Sequence, residues 1–327
     1  MRVFVAGASG VLGRALLPEL TAAGHDVTGL VRSSEGAATV RALGGQVEQA
    51  DALDRSAVTR AMHRSAPDAV VHLLTAIPAQ IDPKHMERDF ASTNRLRTDG
   101  TRILLDAAAE VGVRRVVSQG MAWVYDPDGI GLADEDRPFW HRLPAQFAAN
   151  VVALQDLEER TRRANGLVLR IGHLYGRGSI YAADGSFTHQ VRRGEIPLVG
   201  GGTSVFSFTH AHDAATAITA ALPSSIRGAL NIVDDDPAPM SEWLPVLADL
   251  VGARPPRKVP RLMARMAAGS WGVTYMTRLR GATNARARAD LGWRPAYASW
   301  RDGFAAELAS ATGGELKHSG VDGSERG

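Results

Sequence analysis

A glycine-rich turn directly after a short apolar run is the feature that most constrains how this chain folds. Residues 3–6 have the composition of a buried strand, and Gly7, Gly10 and Gly13 follow before an apolar helical pattern begins. Gly7 would turn the chain out of the strand, Gly10 would let the backbone approach a pyrophosphate, and Gly13 would let the helix pack closely on the sheet. The helix N-terminus would offer free N–H groups to the anion. This spacing predicts nucleotide binding, with an ordinary strand-to-helix turn as the alternative.

Seven apolar, β-branched runs with helical segments between them extend this pattern along the chain. They cover residues 3–6, 26–31, 47–50, 69–74, 114–118, 167–171 and 230–233. Strands that alternate with helices at this spacing predict an α/β fold with a doubly wound parallel sheet. Their continuous hydrophobicity indicates burial on both faces. Two helices are expected at residues 98–111, where Gly112 supplies a stop, and at residues 151–164.

Composition excludes several classes of partner. The 327 residues are 45% hydrophobic, and the net charge of +2 comes from scattered charges without a basic run. We therefore expect no nucleic-acid partner. The absence of cysteine excludes disulfides and thiolate metal sites. The chain starts with a core strand rather than a signal-peptide pattern, and no apolar run is long enough to cross a bilayer, so we expect a cytoplasmic protein without a membrane partner.

Further short motifs follow the glycine turn in a fixed order. They are Asp51 in ADALD at 50–54, HLLTA at 72–76, Asn94 followed by GTRILLDAA at 100–108, LRIGHLYG at 169–176, FTHAHDA at 208–214 and LGWRP at 291–295. In this order and spacing the motifs resemble the extended short-chain dehydrogenase/reductase superfamily, which contains the NAD-dependent epimerase/dehydratase family. The resemblance runs nearly from end to end of the chain.

The resemblance implies a Rossmann-type doubly wound sheet with a small C-terminal substrate-binding lid. We expect the NADP-binding domain at residues 1–175, completed by residues 206–235. Segments rich in proline and glycine fall within 176–205 and 236–310, and these two ranges are expected to form the lid. Residues 311–327 are rich in glycine, serine and charge, which predicts a disordered tail.

The resemblance also implies a nicotinamide dinucleotide cofactor. The residues expected to hold it are Gly7, Ser9, Gly10, Val11, Leu12, Gly13, Asp51, Ala52, Leu74, Thr75, Ala76, Asn94, Ile171 and His173. We expect NADP(H) rather than NAD(H), because the second strand ends without the carboxylate that binds the ribose hydroxyls of NAD. Arg32 could instead pair with a 2′-phosphate, with Ser33 and Ser34 as hydroxyl donors. An ordinary exposed arginine is the alternative.

One departure from the family pattern concerns the chemistry. Members of the superfamily use a Tyr-x-x-x-Lys pair on one helix and a serine or threonine at the end of the fifth strand. The matching helix here reads NVVALQDLEE at 150–159, which contains neither tyrosine nor lysine. Met121 occupies the position of the hydroxyl residue. The chain therefore resembles the atypical branch of the superfamily, whose members have altered or lost the standard proton path.

Three residues are candidates for the missing proton donor or acceptor. Tyr125 follows the fifth strand, Ser118 lies in that strand, and His173 lies in the turn expected to pass the nicotinamide. Each has a structural alternative: a half-buried aromatic ring for Tyr125, a cofactor or loop hydrogen bond for Ser118, and a buried histidine for His173. His173 alone titrates in a range that suits acid–base chemistry at neutral pH.

A metal site is not expected. His210 and His212 are two residues apart, but their segment enters a helix, and Asp213 is interpreted as a helix cap. Four large apolar side chains could line a substrate pocket or belong to the core, namely Met121, Trp123, Phe139 and Trp140.

These observations predict an NADP(H)-dependent oxidoreductase that acts on a small carbonyl, alcohol or sugar-like substrate by a nonstandard proton path. A second hypothesis is a redox-neutral epimerase, dehydratase or cyclase that retains NADP. A third is a nucleotide sensor without turnover. The partner is expected to be a small molecule, and the helices at 98–111 and 151–164 could form a homodimer.

Overall fold

A seven-stranded parallel sheet forms the centre of the computed structural model, which describes residues 1–78 and 80–318, with side chains up to residue 309. The strands are β1 Arg2–Ala6, β2 Asp26–Val31, β3 Gln46–Gln49, β4 Ala69–His72, β5 Arg115–Met121, β6 Leu167–Ile171, β7 His173–Tyr175, β8 Leu198–Val199, β9 Val205–Phe206, β10 Phe208–His210, β11 Gly228–Ile232, β12 Ala238–Pro239 and β13 Lys258–Val259. The central order is β11-β6-β5-β4-β1-β2-β3. All seven predicted strands are confirmed as its members.

Helices cover both faces of the sheet. They are α1 Val11–Ala22, α2 Ser34–Ala42, α3 Arg55–Ser65, α4 Met86–Arg95, α5 Thr101–Glu110, α6 Ala145–Arg163, α7 Ser186–Arg192, α8 Ala211–Ala221, α9 Met240–Leu250, α10 Arg261–Thr277, α11 Ala285–Asp290 and α12 Trp300–His318, with a π-helical turn at Leu96–Gly100. Helices α1, α2 and α8 cover one face through side chains such as Val3 and Val5, while α3 and α5 cover the other through Phe4 and Ala6. This alternation within β1 explains its continuous hydrophobicity.

The structure corrects several boundaries. The helix expected at 98–111 is α5 preceded by the π-helical turn and α4, so helical structure begins at Met86, and Gly112 ends it with a φ of +74°. The helix expected at 151–164 begins six residues earlier, after Pro144. Helix α12 begins at the buried Trp300 and extends to His318, so it enters the range 311–327 for which a disordered tail is predicted. Residues 319–327 lie outside the described part of the chain.

A second core lies beyond the carboxyl edge of the sheet. It is built largely from aromatic side chains, including Phe206, Phe208, Trp243, Trp300 and Phe304. Much of it comes from the segments that were expected to form a lid, since α9 and α12 pack against each other here. Helix α10 is divided by Gly269, whose φ of +71° is non-helical. Among the described residues, no helix is both long and apolar enough to cross a membrane.

Candidate functional site

The glycine turn lies at the carboxyl end of β1, where the strand order reverses between β1 and β4. Ligands of doubly wound sheets bind in the crevice at this point. Gly7 has a φ of +91°, and a Cβ there would lie 2.7 Å from the carbonyl oxygen of Leu73. A Cβ on Gly13 would lie 2.3 Å from the carbonyl oxygen of Ala8. Both positions therefore require glycine for the fold itself.

Gly10 differs from the other two glycines because a Cβ there would be far less crowded. A Cβ on Gly10 would meet only the Gly7 carbonyl oxygen, at 3.3 Å, and its φ of −73° suits any residue. Gly10 is the N-cap of α1 and supplies no side-chain acceptor, so the first N–H groups of the helix, beginning at Val11 and Leu12, are open to a ligand. This arrangement is suited to a pyrophosphate.

The end of β2 presents a cationic side chain beside a helix N-terminus. Arg32 is exposed and forms no ion pair within the described residues, and Ser33 caps α2 by accepting a hydrogen bond from the Gly36 N–H at 3.1 Å. The hydroxyl of Ser9 lies close to the same turn, 2.9 Å from where a Cβ on Gly36 would stand. The turn thus brings Arg32, Ser33 and Ser9 together, although they are separated in sequence.

The remaining cofactor candidates line the same edge of the sheet. The Asp51 carboxylate accepts a hydrogen bond from the Leu53 N–H at 2.9 Å, next to the buried Ala52. The Leu74 N–H donates to Nδ1 of His72, and the Ala76 N–H donates to the Thr93 hydroxyl, so the backbone on both sides of the exposed Thr75 is fixed. This path leads from the glycine turn toward β5.

An aromatic wall stands at the carboxyl ends of β5 and β6, where Met121 is paired with Ile171. Its members are Trp123, Phe147, His173, Trp271 and Tyr275. Trp123 stacks on the ring of His173 with centroids 5.2 Å apart, and Phe147 stacks on Trp271 at 4.0 Å. Phe147, His173 and Trp271 are buried, whereas Trp123 and Tyr275 are partly exposed, so these two rings supply the accessible part of the wall next to the expected nicotinamide position. Sequence reasoning missed Phe147, Trp271 and Tyr275, because they become neighbours only through the packing of α10 on α6.

His173 is a neutral member of this wall. Its Nδ1 lies 3.2 Å from the Ser207 carbonyl oxygen, which can only accept, so Nδ1 carries the proton and Nε2 has a free lone pair. Nε2 is buried and has no hydrogen-bond partner among the described residues. Burial lowers the pKa of His173 to about 3. The side chain is therefore not a proton donor at neutral pH.

Tyr125 and Ser118 lie within hydrogen-bond networks away from the crevice. The Tyr125 hydroxyl donates to Oδ1 of Asn231 in β11 at 2.5 Å and accepts from Arg170 at 2.8 Å. It faces the edge of the sheet three strands away from β4, and burial raises its pKa to about 12. Ser118 is fully buried inside β5, with its hydroxyl 2.8 Å from that of Thr161. Neither hydroxyl has the position or acidity that a proton donor at the crevice needs.

Helix α6, which lacks the tyrosine and lysine of the family pattern, carries a buried amide. Asn150 is 1% exposed, and neither its Oδ1 nor its Nδ2 has a hydrogen-bond partner in the described structure. It lies on the same helical face as Phe147 and Leu154, both of which belong to the apolar cluster around Met121. Oδ1 of Asn94 on α4, which packs against α6, is likewise buried and unpaired.

A buried arginine at this edge was missed in the sequence. Arg97 lies in the π-helical turn and donates from Nη2 to the sulfur of Met121 at 3.1 Å. Its position four residues before Thr101 and seven before Leu104 places a charge on the buried face of the α5 pattern, which is the signal that could have revealed it.

The side chains of the histidine segment at the start of α8 are engaged in hydrogen bonds within the fold. His210 caps α8 by accepting from the His212 N–H, and its Nε2 pairs with Glu307 at 2.8 Å. Asp213 is not the cap that was expected, because its carboxylate accepts the N–H groups of Ala296 and Tyr297. Among the described residues, no cluster of three or more potential ligands could hold a metal ion.

Trp140 and Phe139 are part of the core rather than the crevice. Trp140 is 2% exposed in the second core, and the Arg170 guanidinium lies over the Phe139 ring at 4.6 Å. Met121 and Trp123, in contrast, border the aromatic wall. Of the four apolar candidates, two therefore face the site.

The sheet order, the glycine turn and the open N-terminus of α1 define a dinucleotide-binding α/β enzyme. Residues 3–232 match the model of the NAD dependent epimerase/dehydratase family, and the chain belongs to this family. The enzymes of the family work with a nicotinamide dinucleotide, so the expected cofactor class is confirmed at that level.

Two curated relatives and one solved structure give the context. The chain is 45% identical over 312 residues to a 3-diazoavenalumate denitrifying reductase from a Streptomyces species, covering 94% of this chain and 100% of the relative. It is 29% identical over 265 residues to a 4-hydroxy-2-methyl-3-oxo-4-farnesyl-3,4-dihydroquinoline-1-oxide ketoreductase from Stigmatella aurantiaca, covering 78% and 74% of the two chains. The fold is similar to UDP-glucose 4-epimerase from Thermotoga maritima, with a TM-score of 0.75 and 19% identity over 96% of this chain and 100% of that one.

Proposed function

We propose that this enzyme is an NADPH-dependent reductase that transfers a hydride to a diazonium carboxylate and releases dinitrogen. The observation that carries the proposal is the loss of the family's proton path: Met121 stands where the family pattern has a hydroxyl, and α6 contains neither tyrosine nor lysine. The wall residue Tyr275 does not replace them, because its hydroxyl is hydrogen-bonded to Tyr181 and burial raises its pKa. The name of the 45% identical relative, a denitrifying reductase of a diazo compound, supports a carboxylate substrate that carries a carbon-bound N₂ group; the proposal takes this group in its protonated, diazonium form.

The chemistry explains why a proton donor is dispensable. Reduction of a ketone turns the carbonyl oxygen into an alkoxide, which needs a proton. A diazonium ion R–N₂⁺ is already a cation: it accepts a hydride, the C–N bond breaks, and R–H and N₂ are formed without net proton uptake. The carbon centre is reduced and the cofactor is oxidised by one hydride. A site without an acid is thus sufficient for this reaction.

The residues present fit the proposed cofactor. Bound NADPH would supply the hydride from its dihydronicotinamide ring. The pyrophosphate would lie on the N-terminus of α1 beside Gly10, where no side chain caps the helix. Asp51 would take the adenine end, and Arg32 and Ser33 would take the 2′-phosphate, because the Arg32 guanidinium is exposed and unpaired at a helix N-terminus.

The aromatic wall favours a flat, conjugated substrate. The partly exposed Trp123 ring stacks on the buried ring of His173 beside β5 and β6, and the stacked pair of Phe147 and Trp271 supports it from the core. Conjugated rings bury large areas against such side chains. The neutral state of His173 adds no charge that would repel a diazonium cation. We propose that this wall excludes water while it orients the reacting carbon.

The test measures proton uptake together with the oxidation of NADPH. Diazotised 4-aminocinnamate is incubated with the enzyme and NADPH in weakly buffered solution, and NADPH oxidation, dinitrogen release and pH are followed, with an enzyme-free mixture as the background. We expect one N₂ per NADPH and no net proton uptake. Reduction of a ketone panel with one proton consumed per NADPH, and no dinitrogen, would instead establish the carbonyl reductase that the 29% identical ketoreductase suggests.

The other hypotheses predict different results in the same experiment. A redox-neutral epimerase, dehydratase or cyclase would form product without net loss of NADPH. A nucleotide sensor would bind NADPH without turnover of any substrate. Either outcome would overturn the proposed reductase.

Two further expectations remain proposals. The exposed sides of α5 and α6 would form a homodimer, since Val152 on α6 is a large apolar side chain that is 63% exposed. Light scattering on wild type and Val152→Glu would test this, and a monomeric wild type would refute it. A cytoplasmic location likewise stays a prediction.

A further inference from the structure

A buried guanidinium without a counterion stands at the carboxyl edge of β5. Arg97 is 6% exposed, and the acceptor of its Nη2 is the Met121 thioether, a weak one. Within the described residues, no carboxylate lies within 4.0 Å of Arg97. Its neighbours Arg95 and Arg102 both lie within that distance of Asp99 on the exposed side of the helix. Arg97 is thus turned away from the nearest acid.

Burial of this charge works against folding. The guanidinium loses its hydration and gains no opposite charge in return, and desolvation lowers its pKa to about 10, which leaves it protonated at neutral pH. A methionine or leucine would pack beside Met121 without that penalty. The charge is therefore better explained by a ligand than by the stability of the protein.

A chain of hydrogen bonds fixes the turn that carries Arg97. The Leu74 N–H donates to Nδ1 of His72, so the His72 proton is on Nε2 and is donated to the Thr101 hydroxyl at 2.7 Å. The Thr101 hydroxyl in turn donates to the carbonyl oxygen of Arg97 at 2.6 Å. The arginine is therefore positioned relative to the strand end that passes the cofactor. A π-helical turn inside a helix often marks such a functional position.

A second unpaired donor borders the same cluster. Asn150 is buried with both polar side-chain atoms unpaired, and it lies on the face of α6 that carries Phe147 and Leu154. This face packs with Met121, the residue that Arg97 contacts. A carboxylate beside Met121 could accept from the guanidinium and from Nδ2 of Asn150, while an attached conjugated chain would lie against Trp123, the partly exposed ring that packs on the same cluster.

We infer that Arg97 binds the carboxylate of the substrate, with Asn150 as a second donor, and that the bound anion supplies the missing counterion. The inference rests on the proposed function for the identity of the substrate, but carboxylate binding can be measured without turnover. It names the group that the site recognises and explains why a charge is retained beside an aromatic wall.

The test compares an acid with its ester. Binding of cinnamate and methyl cinnamate to the NADP⁺ complex is measured by calorimetry for wild type, Arg97→Met and Arg97→Lys. We expect wild type to bind the acid at least 10-fold more tightly than the ester. Arg97→Met should lose this preference while its affinity for the ester changes less than 3-fold, and Arg97→Lys should keep part of it. NADP⁺ affinity should be unchanged in both variants.

Thermal unfolding without ligand separates this role from a structural one. Arg97→Met should have a melting temperature equal to or above that of wild type, because it removes an uncompensated buried charge. A marked drop would make Arg97 a structural residue, and equal binding of the acid by wild type and Arg97→Met would also overturn the inference. Failure of dinitrogen release with retained acid preference would refute the proposed reaction but not the carboxylate site.

Discussion

Two buried tyrosines form a matched pair that tests whether Tyr125 is structural or catalytic. Tyr125 is 1% exposed and its hydroxyl has two hydrogen-bond partners, Asn231 and Arg170. Tyr175 is fully buried and its hydroxyl has no hydrogen-bond partner among the described residues. Substitution by phenylalanine removes one oxygen from each site. A difference between the two changes in unfolding free energy therefore reflects the hydrogen bonds of the hydroxyl rather than the loss of volume.

The expected magnitudes follow from these contacts. Tyr125→Phe breaks two hydrogen bonds and leaves the Asn231 oxygen without its donor, which costs about 2–3 kcal/mol. With an unfolding entropy of about 2.1 cal/mol/K per residue, a chain of this length loses roughly 3–5 °C in melting temperature. Tyr175→Phe removes a hydroxyl that is buried without compensation, so it should be neutral or stabilising by about 1 kcal/mol.

The assay is calorimetric unfolding of wild type and both variants at one scan rate, together with turnover per folded enzyme. We expect Tyr125→Phe to unfold earlier and to keep the wild-type turnover, because its hydroxyl faces β11 and burial raises its pKa to about 12. A more than 10-fold loss of turnover at unchanged melting temperature would refute this reasoning and make Tyr125 the proton donor. Equal stability changes in the two variants would show that the hydrogen-bond network has no net effect.

Three further predictions concern the cofactor and acid stability. Gly10→Ala should fold normally, because its Cβ meets no side chain in the folded protein. The variant should bind NADPH at least 10-fold more weakly, because the added Cβ would occupy the approach of the pyrophosphate. Normal NADPH affinity in a fluorescence titration would show that the pyrophosphate does not lie against Gly10. Arg32→Glu should weaken the binding of NADPH about 30-fold or more and the binding of NADH less than 3-fold. The control Glu35→Gln should instead tighten the binding of NADPH. Equal losses of affinity for both nucleotides would show that Arg32 does not bind the 2′-phosphate. Between pH 6.5, the pKa of His173 in the unfolded chain, and its folded pKa of about 3, only the unfolded chain takes up the proton. His173 should therefore lower the free energy of unfolding by about 1.4 kcal/mol for each unit of pH decrease in this range. In urea titrations, His173→Phe should reduce this dependence of the unfolding free energy on pH.

Local sequence patterns predicted the parts of the fold that depend on local burial. The central strands were found because residues such as Val70 and Leu169 belong to runs that are apolar on both faces. Helix α4 was not found, because Met86 and Phe90 are its only large buried side chains and the rest of its sequence is polar. The early start of α6 was missed because Phe147 is the only large apolar side chain among residues 145–150, which is too few to show a helical period.

Long-range contacts explain the features of the site that were missed. Asp213 was interpreted as a cap, but its partners Ala296 and Tyr297 lie more than 80 residues away. The spacing of Arg97 to Thr101 and Leu104 indicates a buried helical face, but its contact with the sulfur of Met121 in β5 required the packed structure. The missing tyrosine and lysine were visible in the sequence, whereas the unpaired state of Asn150 required the packed structure.

The break in α10 at Gly269 has a consequence for how such enzymes diverge. The residues after the break include Trp271 and Tyr275 of the aromatic wall, whereas Leu262, Met263 and Met266 before it are exposed. Because a left-handed residue interrupts the helical hydrogen bonds, a change of side chain at 270–276 need not be accommodated by the preceding turns. A few substitutions in this short segment can therefore alter which molecules fit against the wall while the nucleotide fold stays intact.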